Sequence, residues 1–336
     1  MNVAASAVTD TVSNYSGIPD TQTPRKVMTS TVIHNQPIDH KGIKADCSAP
    51  IGLFDSGIGG LSVYLHLAQQ LPHERYVYYA DNLHVPYGNR DSDDIKALTL
   101  TAVEWLYQQG CKLIVIACNS ASAYALETAR QHYPQLAIVG LVPALKPAVL
   151  ASKSGHVAVL ATKATLNGTL LNDVIAKIAS PNATKVTKYF DPQLVPWVES
   201  GMPINSKTAQ NLRQQLQVFA KDGVDQLVLG CTHYPFFKDF LLQEIDEQKL
   251  SMQVVDSGQA IAERVKQLLI SHNLSALPTD DVDKNRVVGA GLSGDQIKPP
   301  LTFYATKYDK QMSPLLSRLL GAQTPLQYHP HFEYLS

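Results

Sequence analysis

Two cysteines stand in matching sequence contexts. GCKLIVIACNS contains Cys118 and GVDQLVLGCTH contains Cys231; in both, a glycine leads into an apolar, strand-like run that ends at the cysteine. Ligands of open parallel sheets bind beyond the carboxyl ends of the strands, and a following helix N-terminus lowers a thiol pKa. The sequence therefore predicts two functional thiols. Cys47 and Cys111 lack this context and are interpreted as structural.

A pair of matched thiols suggests one kind of chemistry. With one thiol on each side of a bound molecule, a thiolate removes a proton from a stereogenic carbon while the other thiol protonates the opposite face. Two alternatives stay open at this point. Both cysteines are small buried hydrophobic residues, or Cys231 is the nucleophile of a hydrolase or transferase with His233 as its base. The second alternative leaves Cys118 without a role.

Two loops are candidates for binding carboxylates. In GLFDSGIGGLSV, an apolar strand leads through Asp55 and Ser56 into a glycine-rich turn and a helix beginning near Leu61. The spacing fits neither a dinucleotide fingerprint nor a P-loop, but the helix N-terminus offers N–H groups to an anion. In ADNLHVPYGNR, the N–H groups of Tyr87 and Gly88 are candidates for a second carboxylate.

The titratable candidates lie near these loops. His233 follows the second thiol by two residues, and Asp55 and Glu199 are acidic candidates for tuning a thiol pKa. Asp81 and Asp191 are interpreted as strand ends. The C-terminal HPHFE lacks further ligands, so we predict no metal site.

The elements around each cysteine repeat in the same order. Strand-like runs end at Asp81 and Asp191, and helices with one apolar face follow, with Ser92 and Ser206 as predicted N-caps. Another strand-like run follows each cysteine. The predicted fold class is α/β, with two similar doubly wound parallel-sheet domains related by pseudo-two-fold symmetry and the active site in the cleft between them.

Composition narrows the class of protein. The chain has 336 residues, 45% hydrophobic and 17% charged, with a formal net charge of -1. We therefore expect a globular protein without a nucleic-acid partner. Neither an apolar run long enough to span a membrane nor a signal-peptide pattern is present, and the cysteines form no C-x-x-C pair. These features predict a cytoplasmic protein that does not bind membranes.

The ends of the chain differ from its middle. Residues 1–48 are rich in Thr, Ser, Asn and Pro and are interpreted as a flexible extension. Residues 274–300 are interpreted as an irregular connection. One more apolar run and the helical stretch SPLLSRLLG follow from Leu301.

With these residues in hand, the chain closely resembles bacterial glutamate racemases, the cofactor-independent enzymes of the aspartate/glutamate racemase superfamily. The matching blocks are GLFDSGIGGLSV, YYADNLHVPYGNR, VIACNSASA, GLVPALKPA, LVLGCTHYPFF and VVDSGQA, spanning residues 50 to 272 or so. The resemblance implies interconversion of L- and D-glutamate without a cofactor, supplying D-glutamate for peptidoglycan.

The resemblance also implies roles for individual residues. Cys118 and Cys231 would be the acid/base pair, assisted by Asp55, Glu199 and His233. The implied substrate contacts are Asp55, Ser56, Tyr87, Gly88, Asn119, Ser120, Thr232 and His233. Ser120 stands where the family usually has Thr, which keeps the hydroxyl donor and removes a methyl group.

The family's architecture implies domain boundaries. Residues 49–146 plus 256–336 would form the first α/β domain and residues 147–255 the second. A homodimer is expected by analogy, and activation by a cell-wall precursor is left open.

Two further alternatives remain. An aspartate or hydantoin-type racemase uses a similar two-cysteine frame, although the six matching blocks favour glutamate. A binding protein on the same fold would be indicated by loss of a cysteine, and both cysteines are present.

Overall fold

The computed structural model of the protein describes residues 46–276, 301–307, 309–321 and 324–329. All of these residues belong to one compact unit. The strands are β1 (Ile51–Asp55), β2 (Tyr76–Ala80), β3 (Leu113–Ile116), β4 (Ala137–Gly140), β5 (His156–Ala161), β6 (Lys185–Tyr189), β7 (Gln226–Gly230), β8 (Gln253–Val255), β9 (Leu301–Ala305) and β10 (Leu326–His329).

Helices connect these strands. They are α1 (Leu61–Gln70), α2 (Ser92–Gln108), α3 (Asn119–His132), α4 (Leu145–Ala151), α5 (Lys163–Asn167), α6 (Thr169–Val174), α7 (Leu194–Glu199), α8 (Lys207–Lys221), α9 (Lys238–Glu247), α10 (Gly258–Ser271) and α11 (Met312–Leu320). Short 3-10 turns lie at Tyr87–Asn89 and Tyr234–Phe237, and a π-helical turn lies at Ile175–Ala179.

The strands form two parallel sheets whose cores have the same strand order. The first sheet runs β10-β9-β2-β1-β3-β4 and the second runs β6-β5-β7-β8. Within each half the central strand comes first in sequence, with the next strand on one side and the following two on the other. Every pairing is parallel. The predicted fold class, α/β with two similar parallel-sheet halves, is confirmed.

The central strands are apolar throughout because helices cover both faces of each sheet. All residues of β1, β3, β5 and β7 are buried. Each sheet has an apolar cluster on either face; one cluster of the first sheet includes Leu316 and Leu320 of α11. Helix α8 follows its predicted pattern and buries Ala209, Leu212, Leu216 and Phe219.

One predicted helix cap is wrong and one is confirmed. Helix α2 is capped by Asp91, whose carboxylate accepts hydrogen bonds from the N–H groups of Asp93 and Asp94. Ser92 is the first helical residue, because the aspartate reaches the same N–H groups from one position earlier. Ser206 is the N-cap of α8, with its hydroxyl accepting from the Ala209 N–H at 3.2 Å.

Several sequence-based expectations fall partly outside the described residues. These are the extension 1–48, apart from residues 46–48, the connection 274–300 beyond residue 276, and the HPHFE segment beyond the backbone of its first residue. The domain boundaries stay a prediction, although β9 pairs with β2 in the first sheet. In the part of the chain that the structure describes, no helix is long and apolar enough to cross a membrane. Nor do three or more potential metal ligands gather there.

Candidate active site

A pocket of about 340 Å³ lies at the carboxyl ends of strands from both sheets. Its lining contains residues that follow β1, β2, β3, β5, β6 and β7, so the two halves face a common space. All but one of the predicted site residues line it: Ser56, Tyr87, Gly88, Cys118, Asn119, Ser120, Glu199, Cys231, Thr232 and His233. Asp55 is absent from the lining.

Cys118 is held at the start of a helix. It is the N-cap of α3, and its sulfur accepts a hydrogen bond from the N–H of Ala121 at 3.5 Å. The hydroxyl of Ser56 lies 3.6 Å from the same sulfur. The residue is 5% exposed. The thiol is therefore positioned by the turn that follows β1 and by the first turn of α3.

The helix N-terminus does not lower the thiol pKa of Cys118 as the sequence pattern predicts. Burial and, to a lesser extent, the nearby charge of Asp55 together raise this pKa to about 12. The hydrogen bonds from Ala121 and Ser56 oppose these effects but are weaker. In the pocket without substrate, Cys118 is a neutral thiol near pH 7 and is suited to donate a proton.

Cys231 has a different set of neighbours. It follows β7 and is 7% exposed, and His233 hydrogen-bonds both to it and to Glu199. The His233 Nε2 to Glu199 Oε1 distance is 3.1 Å. Burial lowers the pKa of His233, but the hydrogen bonds and charges of Cys231 and Glu199 outweigh burial and raise the pKa to about 10. A protonated imidazole therefore lies next to this sulfur.

Asp55 lies behind the pocket wall. It is 1% exposed, and its carboxylate accepts hydrogen bonds from the Gly57 N–H at 2.7 Å and the Thr232 hydroxyl at 3.1 Å. Burial raises its pKa to about 6, although the charge of His233 and these hydrogen bonds oppose the rise. The geometry links Asp55 to the loop that carries Cys231. Direct contact of Asp55 with a substrate stays a prediction.

Further polar residues that the sequence interpretation did not assign to the site line the pocket, among them Asn89, Thr162, Thr165 and Asp191. Thr162 follows β5, and its hydroxyl hydrogen-bonds to the hydroxyls of Ser120 at 2.9 Å and Thr165 at 3.0 Å. The repeat carried a signal for this site. Strand β5 is the counterpart of β1, so Thr162 occupies the position that Ser56 occupies in the first half.

The lining is rich in neutral donors and acceptors. Among the described lining residues there is no lysine or arginine, whereas Ser56, Ser120, Thr162, Thr165 and Thr232 supply hydroxyl groups. Within the described residues, the buried side-chain oxygen of Asn119 has no hydrogen-bond partner. A buried acceptor without a partner is costly, so it indicates a ligand that brings a donor, such as an ammonium group.

These features and the sequence define the class of protein. Residues 51–265 match the family model described as Asp/Glu/Hydantoin racemase, and the chain belongs to that family. Within the family, its curated relatives include glutamate racemases. The one from Deinococcus radiodurans is 48% identical over 220 residues, covering 66% of this chain and 74% of that protein. The one from Stutzerimonas stutzeri is 34% identical over 286 residues, covering 85% and 99% respectively.

Solved structures give the same picture. The Escherichia coli glutamate racemase, in complex with L-glutamate and the activator UDP-MurNAc-Ala, superposes with a TM-score of 0.65 at 30% identity, covering 84% of this chain and 98% of that one. The Francisella tularensis enzyme, in complex with D-glutamate, has a TM-score of 0.68 at 24% identity and covers 84% and 97%. At that identity, the second likeness concerns the fold alone.

Proposed function

We propose that this protein is an isomerase that interconverts L- and D-glutamate by proton transfer between Cα and the thiols Cys118 and Cys231. The observation that carries the proposal is the placement of these thiols. They follow equivalent strands of the two halves and line one pocket. A single cysteine nucleophile with a histidine base would not use the second thiol.

The two thiols have different neighbours. The sulfur of Cys231, which is hydrogen-bonded to His233, removes the Cα proton from one enantiomer. Cys118 begins as a neutral thiol and protonates the opposite face of the carbanion. In the reverse direction the roles exchange: the Cys118 thiolate takes the proton and the Cys231 thiol returns one.

Binding has to hold a dicarboxylate without a lysine or arginine side chain in the described lining. The hydroxyls that line the pocket, with the N–H groups of Tyr87 and Gly88, are the donors for the two carboxylates. The free oxygen of Asn119 receives the substrate ammonium. The same donors are fixed dipoles around the substrate. They therefore stabilise the negative charge that develops at Cα.

Several of these residues also position the thiols. Asp55 and Thr232 hold the loop that carries Cys231, and Glu199 orients His233. Ser56 contacts the sulfur of Cys118, and the Ser120 hydroxyl is hydrogen-bonded to that of Thr162 in the same pocket. We assign no cofactor to the reaction. The proposed supply of D-glutamate for peptidoglycan is in keeping with the predicted cytoplasmic location.

Two partners stay predictions. The E. coli structure contains the activator UDP-MurNAc-Ala. Racemase activity measured with and without that precursor would test whether it also activates this protein. A homodimer is expected by analogy with the family, and sedimentation would measure it.

The test is proton exchange in D₂O. The protein is incubated with L-glutamate while optical rotation and α-deuterium content are followed, beside Cys118→Ser and Cys231→Ser. We expect the wild type to lose rotation and to place deuterium in both enantiomers, with either serine variant slowed by roughly a thousandfold or more. L-Aspartate is the comparison substrate.

Other results would redirect the proposal. Faster turnover of L-aspartate would assign a different acidic amino acid. An acyl intermediate trapped on Cys231, with no exchange at Cα, would support the cysteine hydrolase. Absence of exchange with both substrates, with or without a cell-wall precursor, would contradict a racemase.

A further inference from the structure

Helix α11 contacts helix α7 through one arginine. The Arg318 guanidinium donates hydrogen bonds to the carbonyl oxygen of Glu199 at 2.8 Å and to that of Val198 at 3.3 Å. Helix α11 packs in the core of the first sheet, and Val198 belongs to the apolar core of the second. The side chain therefore spans the two halves of the molecule.

The carboxyl end of α7 suits this contact. Carbonyls in the last turn of a helix lack partners within the helix and carry partial negative charge, which a cation stabilises. Gly201 follows the helix with φ +97, a left-handed conformation that favours glycine. A Cβ atom at Gly201 would lie 2.9 Å from the Arg318 Nη1, so the glycine also leaves room for the guanidinium.

The residue held by Arg318 belongs to the candidate active site. Arg318 fixes the backbone of Glu199, whose carboxylate hydrogen-bonds to His233, which in turn contacts Cys231. We propose that Arg318 is a positioning residue for proton transfer at Cys231: from the opposite half, it fixes Glu199 so that its carboxylate orients His233 against this thiol. The inference rests on the proposed two-thiol reaction.

Such a role predicts an asymmetric kinetic effect. Among the described contacts, Arg318 reaches only the Cys231 side of the site, so its loss should slow proton transfer at Cys231 and leave the step at Cys118 unchanged. Because the two enantiomers have the same free energy, the equilibrium constant of racemisation is one, and kcat/KM must be equal in the two directions. The values of kcat/KM therefore do not show which proton transfer has been slowed. Isotope effects do, because they depend on which proton transfer limits the rate.

The experiment compares Arg318→Ala and Arg318→Lys with Arg264→Ala, an exposed arginine of helix α10. We expect Arg318→Ala to lose roughly five-fold in kcat/KM and Arg318→Lys to recover part of this loss, since lysine keeps a charged donor. With α-deuterated substrates, the isotope effect in Arg318→Ala should rise for the enantiomer deprotonated by Cys231 and fall for the other. Glu199→Gln should change both isotope effects in the same directions.

Three results would contradict a positioning role for Arg318. Unchanged kinetics in Arg318→Ala, an equal loss in Arg264→Ala, or a loss with no change in either isotope effect would each reduce Arg318 to a structural role or to none.

A second measurement does not need activity. The pKa of His233 is read by NMR in the protein without substrate, with His233→Asn used to assign the signal. The charged or titratable neighbours that act on this ring are Cys231, Glu199 and Asp55. We expect a lower pKa in Arg318→Ala, because a displaced Glu199 no longer stabilises the imidazolium; an unchanged pKa would overturn the inference. Inactivity of the wild type with glutamate would instead contradict the proposed function.

Discussion

The two thiols of the pocket are equivalent in the fold but not in their surroundings. Cys118 has a hydroxyl and a helix N–H beside it, whereas Cys231 has an imidazolium supported by a carboxylate. The buried carboxylate of Asp55 lies between these environments and contributes to both. It raises the pKa of Cys118, and it is bound by the Thr232 hydroxyl next to Cys231.

The ionised carboxylate of Asp55 should lower the free energy of unfolding of the protein. Its pKa is about 6 in the folded protein, above the ordinary value of 3.8 for an aspartate, so the folded state binds more protons and stability falls as pH rises through this interval. Above pH 6 the cost is about 2 to 3 kcal/mol. Asp55→Asn should therefore raise the free energy of unfolding at pH 8 but not at pH 3.5, and should lower racemase activity.

Urea unfolding of both proteins across this pH range is the measurement. A variant less stable than the wild type at pH 8 would contradict this electrostatic explanation.

Thr162 is one of the pocket hydroxyl groups proposed to bind substrate, and the sequence did not predict it. Thr162→Val removes the hydroxyl bonded to Ser120 while keeping the size of the side chain. We expect KM for glutamate to rise roughly ten-fold, with a smaller change in kcat, since substrate is held by this donor set in both the ground and transition states. Thr162→Ser keeps the hydroxyl and is the control. Equal kinetics for the valine and serine variants would remove Thr162 from the substrate contacts.

At the scale of elements, the sequence was most informative where the repeat was strongest. The strand-like runs before Cys118 and Cys231 and the apolar faces of α2 and α8 depend on local periodicity, and the structure has them as predicted. The start of α2 was misplaced by one residue because Asp91 and Ser92 are both good capping residues. Only the backbone conformation, extended at Asp91, distinguishes them.

The α2 cap gives a paired test. Asp91→Ala should cost about 1 kcal/mol of stability, because the N–H groups of Asp93 and Asp94 lose their acceptor. Ser92→Ala should have little effect, since Ser92 lies inside the helix. Thermal unfolding of both variants measures the difference; the reverse ranking would restore Ser92 as the cap.

At the scale of the whole molecule, contacts between distant segments were beyond sequence reasoning. The alternation of strands and helices predicts parallel sheets, but it does not predict that Thr232 would bind Asp55 or that Arg318 would reach Glu199. These pairs are more than a hundred residues apart, and no local pattern specifies them. The repeat and the loops predict the thiols and most of their neighbours, and the family resemblance adds Asn119, Ser120 and Thr232, whereas the partners of these residues required the three-dimensional arrangement.

A buried ion pair lies beneath the first sheet, away from the pocket. The Nζ of Lys112 is 2.6 Å from the Glu74 carboxylate, with both side chains at most 4% exposed. Lys112 also donates to the carbonyl of Cys47, and Glu74 accepts from the N–H of Ala276. The pair thus holds the segment before β1 and the segment after α10 at one place.

Breaking this pair should destabilise the molecule without touching the chemistry. Lys112→Met leaves the buried carboxylate of Glu74 unpaired and should cost roughly 3 kcal/mol, whereas the double variant with Glu74→Gln should recover much of the loss. Urea unfolding and racemase activity at low denaturant are the measurements. A double variant as unstable as the single one would show that packing of the lysine stem, and not the unpaired charge, is responsible.

The position of Cys118 as the N-cap of α3 has a consequence for covalent inhibitors. A group attached to this sulfur occupies the space and the lone pairs that receive the Ala121 N–H, so alkylation weakens the first turn of α3. That turn presents Asn119 and Ser120 to the pocket. An electrophile that reaches Cys118 should therefore remove a proposed proton carrier and disorder two proposed substrate contacts, whereas an adduct on Cys231 should leave its following helix, which begins at Lys238, intact.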